Sequence, residues 1–241
     1  MWTSVQNIEQ PATLLEASKL NNSEHSTLFS GGTYLVAQKN KSIHTIIDIN
    51  HLVENKIEEK EETISIGAGV TLQQIAEHFA KSVIGRCAQQ SCYSKNIRNQ
   101  RTIGGEIAQQ SSTSDINVLL RTINVNLKVF VEDQLIDVSI CEWNGKGIIS
   151  EITFAKDANI DLKRYAVIPS APPFVIVGYN YTTKNCIVGG RTDRFATFVV
   201  DKNEQVDKAL EGCFTDDHNG SIKYKIHVVK VALNDFTEGT P

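Results

Sequence analysis

Two glycine pairs, Gly31-Gly32 and Gly104-Gly105, constrain this chain more than any other feature of its sequence. The first follows an apolar stretch at 27–29 and precedes a helical pattern at 34–39, with a second apolar stretch at 45–49. Strand, glycine turn, helix, strand is a βαβ unit, which requires a small parallel sheet. At each pair the backbone can approach a neighbour without a Cβ in the way. Backbone N–H groups exposed at such a turn can hold a diphosphate, and a helix beginning just after it adds positive potential. A glycine pair is equally what a tight turn uses, so the surrounding residues have to decide.

The remaining pattern reads as α+β. Pro11 suits the start of a helix whose Leu14, Leu15 and Ala17 share a face. The charged stretch 54–62 reads as a surface turn, and 64–66 as a strand ending in Gly67-Ala68-Gly69. Thr71 and Gln74 form a capping box for a helix with Leu72, Ile75 and Phe79 on its apolar stripe. Alternation at 126–138 around Glu132-Asp133-Gln134 predicts a hairpin, and 148–154 a further strand. Beyond Asp157 the stretches 163–168, 174–181, 186–189 and 195–200 read as an antiparallel sheet. Two helical patterns follow, on Val206, Ala209 and Leu210, then on Ile222, Ile226, Val229 and Leu233. The last could also be a strand through Val228. The expected organisation is a domain at 1–157, with lobes at about 1–55 and 56–157, and a second domain at 158–241.

Composition removes several classes of function. Asp and Glu total 28 against 24 Lys and Arg, a net charge of -4, which argues against a nucleic-acid binder. No apolar run is long enough to span a bilayer, and residues 1–12 carry no secretory pattern, so a cytoplasmic protein is expected. The five cysteines, at 87, 92, 141, 186 and 213, are scattered and odd in number. Cys87 and Cys92 have the spacing that opens a plant-type iron–sulfur loop, but Tyr93, Ser94 and Lys95 stand where the next ligands belong. No histidine pair has ligand spacing, so no metal site is expected.

The segments around the glycine pairs resemble a known family. Phe29-Ser30-Gly31-Gly32-Thr33-Tyr34-Leu35-Val36 resembles its A-G-G-T/H-x-L motif, and Ile97-Arg98-Asn99-Gln100-Arg101-Thr102-Ile103-Gly104-Gly105 its I-R-N-x-x-T-I-G-G motif. Ile66-Gly67-Ala68-Gly69-Val70-Thr71-Leu72 and Ser114-Asp115 are similar to two further segments, in the same order. The family is the FAD-binding subunit of xanthine dehydrogenase, aldehyde oxidase and carbon monoxide dehydrogenase. The resemblance implies a two-lobed FAD-binding domain, a small parallel βαβ lobe and a larger mixed lobe, followed by a small antiparallel sheet with helices.

It also implies a site. Leu28, Phe29, Ser30, Gly31, Gly32, Thr33, Tyr34 and Leu35 would contact the adenosine and pyrophosphate of FAD. Thr102, Ile103, Gly104, Gly105 and Glu106 would form a second phosphate-binding turn. Asp115 would bond a sugar-like hydroxyl, or cap a helix beginning at Ile116; Ile149 would pack near the isoalloxazine, with Lys163 at its polar edge. No catalytic residue is expected, because the chemistry belongs to the flavin. The implied partners are a molybdopterin-binding large subunit and a 2Fe-2S small subunit. Electrons would pass from their clusters through FAD to NAD+ or another acceptor.

Two departures from the pattern stand out. Glu106 replaces the usual Asn and would bring a negative charge towards the phosphates, unless Arg101 pairs with it. The stretch 164–174 lacks the Arg-rich and acidic residues that usually follow Lys163. Both motivate an alternative, a non-redox assembly subunit that kept the fold and lost productive flavin. A stand-alone flavin reductase or oxidase is a third reading.

Overall fold

The computed structural model describes residues 2–192, 194–200 and 203–238. The chain forms two compact units: Met1–Ile75, Ser94–Gln109 and Val125–Lys156 make one; Ala76–Tyr93, Gln110–Asn124 and Asp157–Pro241 make the other. The last crossing falls at 156/157. Residues 76–93 and 110–124, which the sequence assigns to the N-terminal domain, pack instead with the C-terminal sheet.

The first unit opens with the expected parallel sheet. Its strands are β1 (Asn7–Glu9), β2 (Ser26–Phe29) and β3 (Thr45–Asp48), in the order β1-β3-β2. Parallel neighbours need crossovers, which α1 (Leu14–Leu20) and α2 (Thr33–Gln38) supply. Thr13 caps α1, its hydroxyl accepting the Glu16 N–H at 3.2 Å. Strand β1 escapes sequence reading because it is three residues long, exposed and without alternation.

The larger sheet of this unit is antiparallel, in the order β4-β5-β8-β6-β7. Its strands are β4 (Ile57–Glu59), β5 (Thr63–Gly67), β6 (Asn126–Val131), β7 (Gln134–Ser139) and β8 (Ile148–Ala155). Strand β4 corrects the expectation of a plain surface turn at 54–62. Its charges are those of an edge strand, which resists pairing with other chains by staying polar. The β6–β7 hairpin turns at Glu132-Asp133, both in the left-handed region (φ 49° and 65°), and Gln134 already belongs to β7. That is the conformation a two-residue hairpin matching strand twist demands. Thr71 and Gln74 make the expected capping box at α3 (Leu72–His78), with bonds of 2.8 and 3.2 Å.

The second unit is built on the antiparallel sheet β12-β11-β10-β9. Its strands are β9 (Ile160–Tyr165), β10 (Val175–Asn180), β11 (Asn185–Gly190) and β12 (Ala196–Val199). Every residue of β10 is buried, so both of its faces are covered. Val175, Val177 and Tyr179 share a core with Val229, Leu233 and Phe236 of the long helix Ile222–Glu238. A helix at Asp115–Ile123 packs on β9, β10 and β11, with Ile116, Leu119 and Leu120 buried. That apolar burial is why this helix joins the C-terminal sheet although it precedes it by some forty residues. The alternative strand at Val228 gives way to the 17-residue helix, whose buried positions 225, 228, 229, 232, 233 and 236 follow a helical stripe. In chain order, α4 is Val83–Ser91, α5 Lys95–Arg98, α6 Ile103–Ala108, α7 the helix at Asp115, α8 Asn203–Ala209 and α9 the helix at Ile222.

Candidate functional site

The first glycine pair leaves the chain where β2 ends. Gly32 sits in the left-handed region (φ 68°) as the residue before α2, with no side chain capping the helix. A Cβ on Gly31 would lie 1.7 Å from the Gln100 carbonyl oxygen. The two motif segments therefore touch backbone to backbone, which only glycine allows. Thr102 Oγ1 donates to Ser30 Oγ at 3.3 Å and joins them a second time. Among the described residues, no protein acceptor takes the N–H groups of Gly31, Gly32, Thr33, Tyr34 or Leu35.

The second pair is built for another task. Thr102 caps α6, its Oγ1 accepting the Gly105 N–H at 3.2 Å. Ile103 N–H donates to Val70 O (2.8 Å), Gly104 N–H to Ala68 O (2.9 Å) and Glu106 N–H to Thr102 O (2.9 Å). The first two fasten α6 to the turn at 67–70, and the third closes the helix's own first turn. A Cβ on Gly104 would stand 2.8 Å from that of Ala68. The second pair thus presents Cα surface to the site while its amide groups are already engaged.

Both segments border a cavity of about 750 Å³ in the first unit, well within the range of small-molecule sites. Leu28 and residues 30–35 line it together with Arg101, Thr102, Gly105 and Gln109. The end of α1 adds Lys19, Asn21 and Asn22, and the β6–β7 turn adds Glu132 and Asp133. Trp143 closes another side, its indole N–H donating to Lys146 O at 2.8 Å. A smaller cavity of about 100 Å³ is lined by Leu28, Ser30, Gly104, Gly105, Ile148 and Ile149.

The structure therefore brings Leu28, Ser30, Gly31, Gly32, Thr33, Tyr34, Leu35, Thr102, Gly104, Gly105 and Ile149 to these two cavities. Phe29 lies beneath Gly32, where an added Cβ would meet its ring at 2.2 Å, and Ile103 is fully buried. Glu106 departs from the expectation of a carboxylate facing phosphate. It is 1% exposed, with Oε2 2.6 Å from Arg101 Nε. Trp143, the end of α1 and the hairpin turn were not expected at the site, because they come from segments far apart in the chain.

Asp115 and Lys163 belong to the second unit. Asp115 is fully buried and 3.2 Å from Arg164 Nε. Ser114, not Asp115, caps α7, which begins at Asp115 rather than Ile116. Lys163 pairs with Asp235, its Nζ 5.0 Å from the centroid of the Phe236 ring. The five cysteines are free. Burial pushes the Cys87 and Cys186 thiols up, at Cys87 with help from the Asp115 carboxylate, so neither is poised as a thiolate. Among the described residues no three His, Cys, Asp or Glu side chains gather as a metal site, and no helix is long and apolar enough to cross a membrane.

The family of the FAD binding domain in molybdopterin dehydrogenase matches residues 2–146. The chain belongs to that family. Its cofactor is FAD, and the glycine-lined cavity with open N–H groups fits a dinucleotide diphosphate. Solved structures of the same fold include quinoline 2-oxidoreductase from Pseudomonas putida 86, with 17% identity, a TM-score of 0.75 and 93% of both chains covered. A carbon monoxide dehydrogenase from Hydrogenophaga pseudoflava, lacking the Mo-pyranopterin moiety of its molybdenum cofactor, matches with 16% identity, TM-score 0.76 and 93% of both chains. Reconstituted CO dehydrogenase from Oligotropha carboxidovorans matches with 14% identity, TM-score 0.74 and 94% of both chains. At these identities the likeness is one of fold. No curated protein sequence matches this chain.

Proposed function

We propose that this chain is the flavin-bearing electron-transfer component of a molybdenum-hydroxylase-type oxidoreductase. The observation that carries the reading is the open row of N–H groups at 31–35 on the wall of a cavity of about 750 Å³. Such donors replace water around a diphosphate without further reorganisation. Bound FAD supplies the redox chemistry, accepting electrons singly and releasing them in pairs. The chain's part is to hold and orient it. Leu28 and residues 30–35 take the adenosine diphosphate, Thr102, Gly104 and Gly105 border them, and Ile149 packs near the ring. A 2Fe-2S small subunit and a molybdopterin-binding large subunit supply electrons, which leave to NAD+ or another acceptor.

The assembly-subunit alternative rested partly on Glu106. That carboxylate is buried against Arg101 and does not line the cavity, which supports the flavin-bearing reading. Purification of the native complex through a tag on this chain tests the proposal. It should bring down an iron–sulfur and a molybdopterin protein, with one extractable FAD per chain. A colourless chain that still assembles with those partners would favour the alternative, and NADH oxidation by the chain alone a stand-alone reductase.

A further inference from the structure

Arg101 stands at an x position of the motif around the second glycine pair, and the motif assigns it no role. Arg101 lines the same cavity as residues 30–35. It follows Gln100, whose carbonyl packs on Gly31, so the backbone that carries the cation adjoins the first glycine turn. Two neighbours fix it from behind: Glu106 Oε2 lies 2.6 Å from Nε, and Nη2 donates to Gln109 Oε1 at 3.3 Å. The two ends of this ion pair are unequally exposed. Arg101 is 21% exposed, whereas Glu106 is 1% exposed and off the cavity wall. The pair is thus a dipole with its positive end towards the cavity. An arginine held in plane by a carboxylate is pre-organised to bind phosphate oxygens. Of the other charges on the cavity wall, Lys19 lies at the end of α1, Glu132 and Asp133 on the hairpin turn, and Lys146 shortly before β8.

We propose that Arg101 is a direct ligand of the diphosphate of bound dinucleotide, with Glu106 as the anchor that aims it. The inference rests on the FAD reading above and adds an anchored cation to the backbone donors at 31–35. It also accounts for Glu106: a carboxylate there serves the arginine and not the cofactor.

The test is titration of FAD into the apo form of the full chain at low and high ionic strength. The double variant Arg101→Met with Glu106→Met removes both charges, so no buried carboxylate is stranded. It should melt cooperatively and bind FAD about ten- to a hundredfold more weakly at low salt, the scale of a charge-assisted hydrogen bond. The deficit should shrink as salt rises, and Arg101→Lys should recover most of the affinity. If the double variant does not fold, Arg101→Gln, whose amide can still bond Glu106, should show the same salt-dependent deficit. Equal FAD affinity in wild type and the neutral variants overturns this inference and leaves the FAD reading standing. A wild-type chain that binds no FAD overturns both.

Discussion

The two units treat their polar groups in opposite ways. In the second unit the buried charges close on each other: Asp115 on Arg164, and Lys225, itself without exposure, on Asp217 at 2.9 Å and on Thr215 O at 2.7 Å. The first unit leaves a row of backbone donors at 31–35 without protein acceptors, around a cavity. The donors at the start of a helix have no intrahelical partner, and those at 31–35, part-exposed on the cavity wall, are left for water or a ligand. The contrast teaches where a ligand belongs: in the unit whose hydrogen-bonding capacity the protein itself has not used. Even within that unit the two glycine pairs divide, one with its amides open, the other with them engaged by Ala68 O and Thr102 Oγ1.

The comparison breaks first at the buried charges of the second unit. Arg164→Met takes the cation from the fully buried Asp115 and the donor from Ala171 O. Removing one partner of a buried pair costs about 3–5 kcal/mol, so urea unfolding of the variant should show a loss of that order. A loss under about 1 kcal/mol would mean that these charges do not hold the second unit together.

A smaller effect is expected in the first unit at Glu106→Asn. Facing phosphate, this substitution would have relieved repulsion and tightened FAD binding by about tenfold. With the carboxylate buried against Arg101, it instead costs stability, about 2–3 kcal/mol because Arg101 keeps some solvent. Thermal melts and FAD titration of the variant decide the sign: a stable variant with tighter binding would return Glu106 to the cavity.

The smallest effect is one of pH. The hydrogen bond from Lys225 holds the Asp217 carboxyl down at about 2, against an ordinary 3.8, and the Asn219 N–H adds to it. A depressed carboxyl contributes stability that is complete above its unfolded value and is lost as pH falls through its folded one. The melting temperature should therefore decline between about pH 4 and pH 2. In Lys225→Met the decline in that window should flatten. An unchanged decline would place its origin elsewhere.

Much of the fold could be read from the sequence, for physical reasons that also explain the gaps. The βαβ unit, the capping box at Thr71 and the hairpin at Glu132-Asp133 are local, and their signals lie within a few residues. Strands β1 and β4 are three-residue edges with no alternation to detect. Helix α4 carries Gly85 and a polar C-terminal half, so its apolar stripe reduces to a few positions. In the site, the turn at Gly31-Gly32 was legible because strand, glycines and helix are contiguous. The pairing of Arg101 with Glu106 was legible too, the two being five residues apart, whereas Trp143 and the end of α1 were not, since only the folded chain brings those segments around one cavity. The engagement of the Ile103, Gly104 and Glu106 amides was equally hidden, because two of their acceptors sit on residues 68 and 70.

The central claim is that the first glycine turn holds the diphosphate through open amides while the second supports it structurally. Amide hydrogen exchange of the full chain, with and without saturating FAD, tests this most directly. FAD should markedly slow exchange at residues 31–35, while residues 103, 104 and 106, already bonded, exchange slowly in both states and change little. Protection by FAD confined to 103–106, with residues 31–35 unchanged, would contradict it.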